Sequence, residues 1–190
     1  MSDPLPGGSL PGEHSRLYRI GVMLLNGYGY NWYRRENQMR ADDLLIRSRA
    51  SEHLEKAAVR LRDLESRYRR KYLLPPTRER PDPEPQAVAG ARRFRVLMER
   101  VLEIDTGLRG AAVPPEDKIW QRHRSELDAL ERLTQCDAIL VAGAKELDDL
   151  ITRVPADAAL DSETEQNIDR YLGELAAVLT QRAELLAIRP

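Results

Sequence analysis

The stretch that decides the fold is IRSRASEHLEKAAVRLRDLESRY, residues 46–68. Its apolar members are Ile46, Ala50, Leu54, Ala57, Leu61, Leu64 and Tyr68, at steps of 4, 4, 3, 4, 3 and 4. Only a helix gathers side chains at those intervals onto one face. Between them lie Glu52, Glu55, Lys56, Arg60, Arg62 and Glu65, a solvated face. The spacing is that of a coiled-coil seam.

No proline or glycine interrupts the chain from Asn31 to Leu73. A helix over 31–73 is therefore expected, about 60 Å long at 1.5 Å per residue. Prolines cluster at 75–85 and at 114–115, with single ones at 155 and 190. Proline breaks helix interiors, so the other helices lie between these clusters. Pro75–Pro85 (PPTRERPDPEP) reads as a stiff extended connector.

A shorter helix is expected over 86–105, with Phe94, Leu97, Met98, Val101 and Leu102 inward and Gly107 and Gly110 ending it. Pro114-Pro115-Glu116-Asp117 marks a helix start, with proline in the first turn and acids at the positive dipole end. That helix runs to about Arg153 through Trp120, Leu127, Leu130, Leu133, Leu140, Leu147 and Ile151. Ser162-Glu-Thr-Glu165 has capping-box spacing and opens a last helix over 162–188. Its stripe is Ile168, Leu172, Leu175, Leu179 and Leu186. Residues 1–14 read as a flexible tail and 15–25 as a short apolar helix. No segment alternates as a strand would. The expected architecture is all-α: one antiparallel helical bundle domain over 15–190. It has two long coiled-coil-like helices and two or three shorter ones.

Leu, Ala, Val and Ile must build the core, since the chain has one Phe. The apolar runs Ile20–Leu25 and Ala138–Ala144 are far short of the ~20 residues that cross a bilayer. The start of the chain has neither the basic nor the apolar region of a secretory signal. Cys136 is the single cysteine, so no intrachain disulfide can form, which fits a cytoplasmic location. Residues 1–100 hold 20 Lys and Arg against 13 Asp and Glu, a balance of +7; residues 101–190 hold 10 against 18, or −8. Halves of opposite charge favour pairing with each other.

The sequence names no chemistry. Phosphate-loop, dinucleotide, zincin and di-iron patterns are all missing. His14, His53 and His123 are scattered, and one cysteine does not make a zinc site. No metal or cofactor is expected. His53 reads as a half-buried helix histidine and Cys136 as core packing. Glu36, Asp42 and Asp43 share an early helical segment that reads as a solvated face, with Glu36 and Asp43 partners of Arg40 and Arg47 four residues on.

Two segments have binding character. Asn26-Gly-Tyr-Gly-Tyr-Asn-Trp-Tyr-Arg-Arg35 holds four of the ten aromatic residues. Tyr28, Tyr30, Trp32, Tyr33, Arg34 and Arg35 are of the types enriched at protein–protein hot spots. Two glycines and two asparagines there favour a helix break, which would put Arg34 and Arg35 at a helix start, where the dipole disfavours cations. The second segment is basic: Arg67, Arg69, Arg70 and Lys71, then Arg92 and Arg93, with Tyr68 and Tyr72 interleaved. It suits an anion or a nucleic acid, although the pI near 6.3 speaks against a dedicated nucleic-acid binder.

The leading expectation is a non-catalytic adaptor, accessory subunit or assembly factor that binds another protein, a second copy of itself included. The alternatives are an anion or nucleic-acid binder using 67–95, and an enzyme with a site between helices drawn from Glu36, Asp43, His53, His123 and the tyrosines.

Overall fold

The 46–68 stripe is spent inside the molecule. In the computed structural model, which describes residues 36–78, 81–111, 126–156 and 158–186, Ile46, Ala50, Leu54, Ala57, Leu61, Leu64 and Tyr68 are all buried. Each large aliphatic among them contributes about 1.5–3 kcal/mol by leaving water. They line the inner face of α1 (Glu36–Tyr72). Side chains on α1 are described from Leu45 onward.

The helix stops where Pro75 and Pro76 forbid its continuation. Its last carbonyls are met in part by the Leu73 N–H, which donates to Arg69 O at 2.8 Å. The connector returns the chain to α2 (Pro85–Arg109), with proline at the first turn. Three further helical residues, Ile104, Asp105 and Leu108, are buried beyond or at the expected end of this helix. The expected stop at Gly107 is thus corrected. The helix passes through Gly107, beside which Leu179 lies (3.7 Å from where a β-carbon would sit, an ordinary contact distance), and ends at Arg109 before Gly110, the second of the two expected terminators. Leu102 is also corrected, from inward to 37% exposed. Phe94, Leu97 and Val101 point inward as expected, and Met98 is partly buried.

α3 (Glu126–Thr152) is described in backbone from Glu126 and in side chains from Arg132. Every residue from Cys136 to Ala144 is buried. A helix covered all round belongs at the centre of a core. Leu133, Leu140, Leu147 and Ile151 are inside, as the spacing predicts. α4 (Ser162–Leu186) buries Ile168, Leu172, Leu175, Val178 and Arg182. Its cap lies one residue before the expected capping box. Asp161 accepts from the Thr164 N–H at 2.8 Å and from the Thr164 hydroxyl at 2.6 Å.

Among the described residues the chain is therefore all-helical, with four helices packed against one another and no strand. α1 packs on α2 and on α3, α4 packs on α3, and α4 touches α2 more lightly. One apolar cluster draws on all four. The tail 1–14, the helix expected over 15–25, the junction at 26–35 and the helix start at 115 lie outside the described residues.

Candidate functional site

Tyr68 organises the end of the fold where α1 gives way to α2. It lies four residues past Leu64 on the seam, so its ring turns inward and is 7% exposed. It packs against Phe94 of α2 at 5.7 Å between ring centroids, and against Tyr72 one turn on at 4.6 Å. Gly90 makes the room. A β-carbon there would lie 2.5 Å from Tyr68 Cζ. A buried ring thus braces an outer one, and Tyr72 is 41% exposed. Leu74, just past the helix, is 60% exposed.

Cations surround this pair. Arg69, Arg70 and Lys71 occupy the last turn of α1, where the helix dipole favours positive charge. Lys71 Nζ stands 5.2 Å from the Tyr72 ring centroid. Arg69 Nε binds Glu65 Oε1 at 2.8 Å, and Arg93 NH1 reaches Glu165 Oε2 of α4 at 3.5 Å. Arg67, Arg70 and Arg92 are exposed and form no ion pair with another described residue. Of the six cations expected to bind an anion, four lie on α1 and two on α2. The Tyr68–Gly90 contact brings the two groups to one end of the fold.

The aromatic–arginine residues Tyr28, Tyr30, Trp32, Tyr33, Arg34 and Arg35 lie outside the described residues, as does His123. So do the side chains of Glu36 and Asp43. His53 is half-buried, with its Nδ1 2.9 Å from Asp148 Oδ2 of α3. Among the described residues no three His, Cys, Asp or Glu side chains converge as metal ligands would. Also among them, no helix is long and apolar enough to cross a membrane.

Two polar clusters between helices escape a reading of the apolar stripes. Between α1 and α2, the Ser51 hydroxyl donates to Asp105 Oδ1, and Arg109 Nε donates to Asp105 Oδ2 at 2.8 Å. Arg109 also donates to Glu55, and this hydrogen bond first, then the charge of Asp105, raises the Arg109 pKa. Between α3 and α4, Arg182 Nε lies 3.1 Å from Asp137 Oδ1. The neighbouring Cys136 is fully buried, which with the Asp137 charge pushes its thiol up to about 12. A thiol held neutral in this way is a packing group, not a nucleophile. Periodicity held a clue to both clusters. Asp105 falls four residues after Val101, and Arg182 falls four after Val178, each at a core position of its helix.

Among the described residues, fold and site together define an all-helical, bundle-like arrangement with a basic, aromatic tip. No protein-family model matches the chain, and no curated protein or solved structure is significantly similar to it.

Proposed function

We propose that this chain is a non-catalytic helical adaptor or accessory subunit that binds another protein, and that the tip around Tyr72 is a docking surface. The observation that carries this reading is the exposed Tyr72, braced from behind by buried Tyr68 and flanked by Lys71, Arg70 and Leu74. An aromatic held rigid by a buried neighbour loses little side-chain entropy on binding. Tyr and Arg are the types that dominate binding hot spots. The cations suit an acidic partner surface. The junction at 26–35, with Trp32 and Tyr33, is retained as a second docking segment.

The same reading includes an antiparallel course for neighbouring helices. Ser51 meets Asp105 whereas Tyr68, later on α1, meets Gly90, earlier on α2. Asp137 meets Arg182 whereas Gly143 meets Leu175. These pairs support up-and-down packing of α1 with α2 and of α3 with α4.

Quantitative co-purification from the native host tests the function. The expected result is a partner lost by at least about tenfold from the Tyr72→Ala/Leu74→Ser protein, the scale of a hot-spot deletion. A Trp32→Ala/Tyr33→Ala protein tests the second segment separately. Retention of every partner by both variants would contradict the reading.

The tilted Tyr68–Tyr72 ring pair amid cations also favours a second reading, binding of a single-stranded nucleic acid, in which the exposed Tyr72 stacks on a base. Such binding falls steeply with salt and with Arg67→Glu/Arg70→Glu. Affinity that ignores both would exclude it.

A further inference from the structure

Two of the four main helix contacts are locked by buried polar pairs, a third is extensive, and the fourth is neither. α1 and α2 share the buried Ser51–Asp105 bond, and Arg47 NH1 donates to Ala111 O at 2.7 Å just past the end of α2. α3 and α4 share the buried Arg182–Asp137 pair. They also approach so closely at Gly143 that a β-carbon there would sit 2.9 Å from Leu175 Cδ2. α1 and α3 make an extensive contact that includes His53–Asp148.

The α2–α4 edge is the lightest contact of the four, and its polar links lie at the surface. Among the described residues they are Arg93–Glu165 and Arg100–Asp169, with side chains between 27% and 54% exposed. The apolar part is Leu179, partly buried, set against Gly107. Both ion pairs join a basic residue of the first half to an acidic residue of the second. The charge division of the chain is thus spent in part across this edge.

We infer that the α2–α4 edge is an electrostatic latch, the line along which the four helices part while the α1–α2, α1–α3 and α3–α4 contacts hold. Exposed ion pairs are weak and screened by salt, so they close the edge without sealing it. A buried pair or an interdigitated glycine contact cannot be released by screening. Parting along this edge would uncover Leu179, which is partly buried in the closed form.

The chain carries its own control for the test. Cys136, deep in α3 and with its thiol held neutral, reacts with a thiol reagent only when the whole fold opens. A second thiol at Leu179→Cys lies under the latch and reacts when the edge parts. Labelling of the full chain is followed site by site by mass spectrometry at neutral pH, at low salt and at about 1 M salt, where the Debye length is roughly 3 Å. The expected result is a rise of about 5–10-fold in Leu179→Cys labelling, the scale of two lost surface ion pairs, with Cys136 unchanged. Arg100→Glu should raise Leu179→Cys labelling at low salt, and Arg100→Glu/Asp169→Arg should restore it. Labelling that ignores both salt and charge reversal would overturn the latch. So would a rise shared equally by Cys136, because the fold would then be opening as a whole.

Discussion

Arg182 of α4 and Asp137 of α3 face each other inside the core, with side chains 2% and 6% exposed. Charges taken so far from water are costly unless they remain paired. Arg182 sits where its helix would otherwise carry the next apolar residue, so the pair fixes how α4 lies along α3. Arg182→Met takes the facing cation from a buried carboxylate and should cost about 3–5 kcal/mol in urea unfolding. Arg182→Met/Asp137→Leu, which removes both charges, should recover most of that loss. A single variant as stable as the parent would show that the pair is not held as described.

The fit of Tyr68 against Gly90 leads to a pair of opposite expectations. Gly90→Ala places a methyl group 2.5 Å from Tyr68 Cζ, and a buried ring has little room to yield. The substitution should destabilise by about 1–3 kcal/mol and increase the mobility of the Tyr72 ring. Gly173, in the exposed middle of α4, has nothing within 4 Å of a β-carbon. Gly173→Ala should therefore stabilise, by up to about 1 kcal/mol. Thermal unfolding of the two proteins reads both signs.

Ser51→Ala removes a donor from the buried carboxylate of Asp105 while leaving Arg109 in place. The expected loss is about 1–3 kcal/mol, the range for a buried acceptor deprived of a partner. A double-mutant cycle with Asp105→Asn should show that the two changes are not additive.

Asp161 gives a pH dependence with a definite sign. Its hydrogen bonds to the Thr164 side chain and then to the Thr164 backbone hold its carboxyl below the ordinary aspartate value. The cap is thus fully present above the unfolded value of about 3.9 and is lost as pH falls through the lower folded value. The Thr164 amide resonance should report fraying of the first turn of α4 in that acid window. In Asp161→Ala that transition should be missing.

How far the sequence reaches can be judged from particular residues. The seam from Ile46 to Tyr68 and the stripe from Ile168 to Leu175 were legible because apolar spacing alone sets which face turns inward. The end of α2 was legible in part: of the two glycines expected to end it, Gly110 follows its last residue, whereas Gly107 lies inside the helix, because a single glycine is tolerated there at modest cost. The Asp161 cap was missed by one residue, since Asp161 and Ser162 are both good caps and only geometry chooses between them. Arg182 and Asp105 stayed hidden because a polar residue at a core position reads as a gap in the pattern until its partner on another helix is seen. At the tip, the basic residues and Tyr68 and Tyr72 were visible in order. The bracing of Tyr72 by Tyr68, and of Tyr68 by Phe94 and Gly90, depends on a return of the chain that composition does not encode.

The central claim, that the tip docks a partner protein, is tested most directly by hydrogen exchange of the protein alone and with the partner that co-purifies with it. The account expects slowed exchange in the last turn of α1 and the connector after it, around Lys71, Tyr72 and Leu74, with α3 and α4 unchanged. Protection confined to α3 and α4, or no protection at the tip, would contradict it.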